Sequence, residues 1–189
     1  MIIEEKEYKK ILFVHIPKTG GTSIKSYLNT NQLDTWKRTN PVGHDPYFQL
    51  EELNTITDNT FKFAVVRNPY TRTYSYYKHF NLQNDLDFSF KEFLDVLDKK
   101  TFFKKTPMLS FPQVFYILNN ENKISLNKIY KFESIDEFEK DFNVKLPTLR
   151  KGNYSQEDYY NDYTEECVDF VKQLCYNDFL TLGYDIDFK

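Results

Sequence analysis

A nearly continuous apolar run that ends in a glycine-rich turn constrains the fold of this chain most strongly. Residues 11 to 16 are apolar except for His15, which is typical of a strand buried on both faces of a parallel sheet. The segment Pro17-Lys18-Thr19-Gly20-Gly21-Thr22-Ser23 follows, and Ile24 and Leu28 then recur at helical spacing. The sequence therefore predicts a buried strand, a tight turn and a helix start, in that order.

A turn of this kind is suited to binding a phosphate-like anion. The first backbone N–H groups of a helix have no partner within the helix, and the helix dipole favours negative charge there. We expect Gly20 and Gly21 to allow positive φ and a close approach to the ligand. Lys18 adds a positive charge, and three hydroxyl groups add further donors, those of Thr19, Thr22 and Ser23.

The composition narrows the classes of partner. A net charge of −3 argues against a general nucleic-acid-binding protein, because such proteins are usually basic. Any anion site must then be a local basic patch. At 189 residues the chain is long enough to bury a sizeable core, and we expect one domain over residues 1 to 189. No apolar run approaches the ~18 residues of a membrane span and no signal peptide is evident, so we expect a cytoplasmic protein.

Both cysteines, Cys167 and Cys175, fall in a long helix predicted from Thr164 to Phe179. Their separation along the helix axis is about 12 Å, which is too far for a disulfide. Two thiols without a nearby histidine pair also make a poor zinc site. We predict that both cysteines are packing residues and that the chain holds no metal.

Two further strands are predicted, from Phe61 to Val66 and from Lys128 to Phe132. Asn68 and Pro69 follow the first of them and indicate the N-cap and first position of a helix. Apolar residues recur at three- and four-residue spacings, typical of helices, between and after the strands. This alternation predicts an α/β fold with a central, mainly parallel sheet flanked by helices.

The glycine turn is neither a Walker A motif nor G-x-G-x-x-G, because Lys18 precedes the glycines. Its order resembles the 5′-phosphosulfate loop of the sulfotransferases that use 3′-phosphoadenosine 5′-phosphosulfate (PAPS). The form that begins at His15 is similar to the Golgi carbohydrate sulfotransferases. This resemblance implies a three-layer, P-loop-like fold in which residues 17 to 23 bind the sulfated end of PAPS.

A second motif extends the resemblance. In that family an arginine at a strand end and a serine eight residues later bind the 3′-phosphate, and Arg67 and Ser75 match this layout. Four weaker matches follow: Phe111-Pro112-Gln113 with Tyr116, Tyr130-Lys131-Phe132-Glu133, a late loop with Arg150 and Lys151 that is implied to close over the cofactor, and a closing signature at Tyr176-Asn177-Asp178-Phe179 with Gly183-Tyr184.

The resemblance also implies roles in sulfuryl transfer. Lys18 would stabilise charge on the leaving phosphate. His44, which follows Gly43, is similar to the segment that carries the base in the carbohydrate 2-O-sulfotransferases, and the unperturbed histidine pKa of ~6.5 suits a base at neutral pH. Glu51, Glu52 and Asp45 are alternative bases, and Asp45 could instead orient His44.

The implied function is transfer of a sulfuryl group from PAPS to a hydroxyl, of a sugar or glycan, leaving 3′,5′-phosphoadenosine (PAP). Two alternatives remain at this point. One is a nucleotide-binding module without catalysis, and the other is a nucleotide or small-molecule kinase, against which the displaced Lys18 counts.

Overall fold

The computed structural model describes residues 8, 10–31, 43–98, 111–147 and 154–189. The chain divides into two compact units. The first comprises Met1–Arg67 and Gln113–Arg150, and the second comprises Asn68–Pro112 and Lys151–Lys189. The single domain expected over residues 1 to 189 stays a prediction.

Among its described residues, the first unit contains a parallel sheet of three strands in the order β1 (Lys10–Val14), β2 (Thr60–Val66) and β3 (Lys128–Lys131). Phe13 is paired with Phe63, and Val65 with Tyr130. The three predicted strands are thereby confirmed to within two residues at each end. The parallel order brings the carboxyl ends of all three strands to one edge of the sheet.

The described helices, in chain order, are α1 (Gly21–Thr30), α2 (Tyr47–Leu53), α3 (Pro69–Asn84), α4 (Phe90–Asp98), α5 (Gln113–Ile117), α6 (Asp136–Phe142), α7 (Gln156–Asp162), α8 (Glu165–Leu174) and α9 (Tyr176–Leu182). A 3-10 turn, Phe132–Ser134, directly follows β3.

Side-chain alternation along β2 places helices on both faces of the sheet. Phe61, Phe63 and Val65 pack in one apolar cluster with residues of α1 and α6. Lys62 points to the opposite face, where its Nζ lies 5.8 Å from the ring centroid of Tyr47 in α2. The α/β fold with a parallel sheet flanked by helices is therefore confirmed.

The second unit is helical, with a core of aromatic side chains. The ring of Tyr74 in α3 lies 5.4 Å from those of Tyr77 and Phe90 and 5.3 Å from that of Tyr159, measured between centroids. The Tyr74 hydroxyl donates to Oδ2 of Asp162 over 2.6 Å, so this large apolar cluster also satisfies a buried polar group.

The start of α3 is as predicted. The side-chain oxygen of Asn68 accepts hydrogen bonds from the backbone N–H groups of Tyr70 and Thr71, at 3.0 and 3.3 Å. Pro69 occupies the first helical position, where its missing N–H costs no hydrogen bond.

The long helix predicted from Thr164 to Phe179 is wrong. It is two helices, α8 and α9, separated at Cys175, whose φ of −107° and ψ of 17° interrupt the helical path. The break lets Phe179 pack against Tyr70 with ring centroids 5.1 Å apart. Neither glycine nor proline marks this break in the sequence. Cys167 and Cys175 are both buried and unbonded to each other, which confirms them as packing residues.

No helix among the described residues is long and apolar enough to cross a membrane. The cytoplasmic location stays a prediction.

Candidate active site

The loop between β1 and α1 is stabilised by a hydrogen bond between two of its own residues. The hydroxyl of Thr19 donates to the backbone carbonyl of Ile16 over 2.9 Å, and Thr19 is completely buried. Lys18 and Gly20 both have positive φ, of 67° and 81°. For a lysine this left-handed conformation costs roughly 1–2 kcal/mol, so the surrounding bonds must hold the turn in place.

The two glycines of the loop have different functions. Gly20 precedes α1 in the left-handed conformation that glycine tolerates, as expected. Gly21 does not have positive φ, and the expectation for it is corrected. A Cβ on Gly21 would lie 2.0 Å from Cδ2 and 2.1 Å from Nε2 of His15. Gly21 is therefore required by the packing of a buried histidine.

His15 and His44 form a pair beside the loop. Their ring centroids are 4.1 Å apart, and His15 is 6% exposed whereas His44 is half-buried. Nδ1 of His44 lies 2.9 Å from the backbone carbonyl oxygen of His15. A carbonyl oxygen can only accept, so Nδ1 of His44 carries the proton and Nε2 of the neutral ring keeps its lone pair. This tautomer is the one that a general base requires at Nε2.

The other proposed bases lie close by in sequence but in different environments. Asp45 is completely buried. Glu51 accepts a hydrogen bond of 3.3 Å from the hydroxyl of Tyr47, and Glu52 is exposed on α2. The backbone carbonyl oxygen of His15 faces Nδ1 of His44.

Arg67 lies at the carboxyl end of β2, and its backbone is held by one side chain. The backbone N–H of Arg67 donates to Oε1 of Gln113 over 2.8 Å, and Nε2 of Gln113 donates to the Arg67 carbonyl over 2.8 Å. Gln113 is completely buried at the start of α5. This paired amide contact fixes where the arginine leaves the strand, and it gives the Pro112-Gln113 segment a physical role.

The Arg67 side chain extends to the loop. Its Nη1 donates to the backbone carbonyl of Lys18 over 3.4 Å, a long hydrogen bond. Its guanidinium carbon lies 4.6 Å from the ring centroid of Phe132, in cation–π range. The same ring borders Gly20, where a Cβ would come within 2.7 Å of it. Phe132 thus contacts both motifs of the site.

Sequence reasoning singled out Phe132 only as part of a resemblance and assigned it no role. A signal was available, because Phe132 directly follows β3 as Arg67 follows β2. The ends of adjacent parallel strands share one edge of a sheet.

The remaining candidate residues fall into three groups. Pro17 is buried in the loop, and Thr22 and Ser23 are half-buried in the first turn of α1, which contains no acidic residue and has no side-chain cap. Ser75 is half-buried on α3 in the second unit. Arg150 and Lys151 lie outside the described residues.

The structure therefore brings Lys18, Gly20, His44 and Arg67 into the first unit, on the loops after β1 and β2 and before α2. A family model described as the sulfotransferase family matches residues 1–185. No curated protein and no solved structure matches the chain. The family match spans nearly all of the sequence and agrees with the parallel sheet and its loop. The chain belongs to the PAPS-dependent sulfotransferase family, which includes the Golgi-type carbohydrate sulfotransferases, and it is a sulfotransferase.

Proposed function

We propose that the protein transfers a sulfuryl group from PAPS to a hydroxyl of a sugar or glycan. The observation that supports this best is the hydrogen bond from Arg67 to the Lys18 carbonyl, which joins the arginine to the glycine loop within the first unit. Two separated cationic groups suit a nucleotide with a phosphate at each end of its ribose.

The residues present fit such a nucleotide chemically. At the sulfated end we assign the start of α1, with the Lys18 ammonium and the hydroxyls of Thr22 and Ser23 as donors. The Thr19 hydroxyl instead supports the loop through Ile16. At the other end Arg67 offers the planar fork that recognises phosphate oxygens. Ser75, Arg150 and Lys151 remain proposed contacts on the resemblance alone.

The reaction needs an acceptor deprotonated as it attacks and a cation near the departing phosphate. Bound PAPS supplies an activated sulfuryl group. Nε2 of His44 accepts the proton of the acceptor hydroxyl as the new oxygen–sulfur bond forms. Lys18 stabilises the negative charge that stays on the phosphate when the old bond breaks. Because Nδ1 of His44 is held by the His15 carbonyl, the base is oriented before the acceptor binds.

A kinase-like reaction is disfavoured by the position of Lys18 before the glycines. A binding module without catalysis predicts the same nucleotide affinity but no turnover, so turnover is the discriminating measurement.

The test is incubation with PAPS labelled in its sulfuryl group and a panel of neutral and anionic glycans, with PAP release and label transfer both measured. We expect release of one PAP for each labelled product. Lys18→Ala should abolish transfer. Tight PAP binding with no transfer to any hydroxyl acceptor would favour the binding module instead.

A further inference from the structure

We propose that Phe132 is a positioning residue that holds the Arg67 guanidinium where it meets the 3′-phosphate of the nucleotide. The inference deepens the proposed function and rests on it. One aromatic ring of the first unit contacts both the Arg67 guanidinium and the turn at Gly20.

The first step concerns Arg67. An arginine side chain has several rotatable bonds and loses much entropy when it is ordered. Gln113 fixes the backbone of Arg67 but not its guanidinium. The long 3.4 Å bond to the Lys18 carbonyl orients the side chain only weakly. The face of Phe132, with the guanidinium carbon 4.6 Å from its centroid, supplies a planar constraint.

The second step concerns the charge of Arg67. An aromatic face attracts the cation through its quadrupole and leaves the edge of the guanidinium plane available for hydrogen bonds. Phe132 therefore orders Arg67 without neutralising its charge.

The third step concerns the loop. A Cβ on Gly20 would approach two carbons of the Phe132 ring to 2.7 and 2.8 Å, so the ring lies directly against the turn that precedes α1. Phe132 itself lies at the start of the 3-10 turn after β3 and packs against the apolar cluster of the first unit. The ring thus contacts both the guanidinium of Arg67 and the turn at Gly20.

The test compares two nucleotides by calorimetry. PAP carries both the 3′- and the 5′-phosphate, and adenosine 5′-monophosphate carries only the second. Phe132→Leu should weaken PAP binding about tenfold, because a partly desolvated cation–π contact is lost, and should change binding of the monophosphate less than about twofold. Phe132→Tyr should retain wild-type affinity for both. Phe170→Leu, a half-buried phenylalanine of the second unit, is the matched control and should alter neither affinity.

A second variant guards against misfolding. Pentafluorophenylalanine at Phe132 keeps the shape of the ring but reverses its quadrupole. It should weaken PAP binding selectively, as Phe132→Leu does, and the effect should vanish when Arg67 is replaced by alanine.

The outcomes separate the two proposals. If the wild-type protein does not bind PAP, the proposed function fails and this inference fails with it. If the wild-type protein binds PAP but the Phe132 variants weaken both nucleotides equally, or neither, the positioning role is overturned and the proposed function stands.

Discussion

Replacement of Gly21 by alanine tests whether the buried histidine pair is packed as described. Gly→Ala at a helical position ordinarily stabilises a protein by up to about 1 kcal/mol, because glycine is the poorer helix former. Here the new Cβ would lie 2.0 Å from the His15 ring. That ring cannot easily move, because it stacks on Phe13 on one side, with centroids 5.4 Å apart, and lies 4.1 Å from His44 on the other.

The expected sign is therefore opposite to the general rule. Overpacking of a buried site costs roughly 1–3 kcal/mol, and a Cβ only 2.0 Å from a ring atom puts this site at the upper end, so subtracting the helical gain of about 1 kcal/mol leaves a net loss of about 2 kcal/mol. For a chain of this size each kcal/mol lowers the melting temperature by about 2–4 °C. Turnover should fall as well, because displacement of His15 disturbs the carbonyl that orients His44.

Urea unfolding followed by circular dichroism measures the effect. Ser26→Ala, at an exposed position of the same helix, is the control and should be neutral or slightly stabilising. In a His15→Ala background the penalty of Gly21→Ala should largely disappear. An unchanged or raised stability of Gly21→Ala, or an equal penalty in both backgrounds, would refute the reasoning.

Three further predictions concern the site and the core. Gln113→Leu should lower the unfolding free energy by about 2–4 kcal/mol in urea titrations, because the backbone N–H and C=O of Arg67 each lose the hydrogen bond to the buried Gln113 amide. A smaller loss would show that water replaces the amide. His44→Asn keeps a donor toward the His15 carbonyl but has no basic nitrogen. Turnover should therefore fall about 10²-fold or more, while PAP affinity measured by calorimetry stays the same. Normal turnover would place the base elsewhere. Burial, and to a lesser extent Asp178, raises the pKa of Cys175 to about 12. The unfolded chain loses this proton at lower pH than the folded chain. The stability contributed by the thiol is therefore fully present below the unfolded pKa, and it falls by about 1.4 kcal/mol per pH unit as the pH rises toward 12. Urea midpoints should thus decline less steeply above about pH 9 in Cys175→Ala than in wild type, and equal slopes would contradict the assignment.

Local signals explain what the sequence predicted correctly. The strands around the loop are apolar runs, and the glycines and Asn68 mark helix starts through short-range chemistry. These signals depend only on neighbours in the chain. The loop with Lys18 and the strand end at Arg67 could be located for that reason.

Contacts between distant segments explain what sequence reasoning missed. The pairing of Gln113 with the Arg67 backbone spans 46 residues, and no periodicity reports it. Gly21 was interpreted by its conformational freedom, whereas its actual constraint is the His15 ring. The helix break at Cys175 similarly follows from packing, since Phe179 then reaches Tyr70.

One missed element did carry a local signal. Ser155 and Asp158 form a capping box at the start of α7, with the Ser155 hydroxyl accepting from the Asp158 N–H at 3.0 Å. The Ser-x-x-Asp spacing is present in the sequence and predicts a helix start.

The central claim is that the Lys18 loop and Arg67 together bind a nucleotide with phosphates at both ends of its ribose. Calorimetric titration of the wild-type protein with PAP, and with ATP and Mg²⁺ for comparison, tests it most directly. We expect PAP to bind at least about tenfold more tightly than ATP, and Lys18→Ala and Arg67→Ala each to lose about 1.5–3 kcal/mol of PAP binding, the range for hydrogen bonds to charged groups. Equal or tighter binding of ATP, or PAP affinity unchanged in both variants, would contradict the claim.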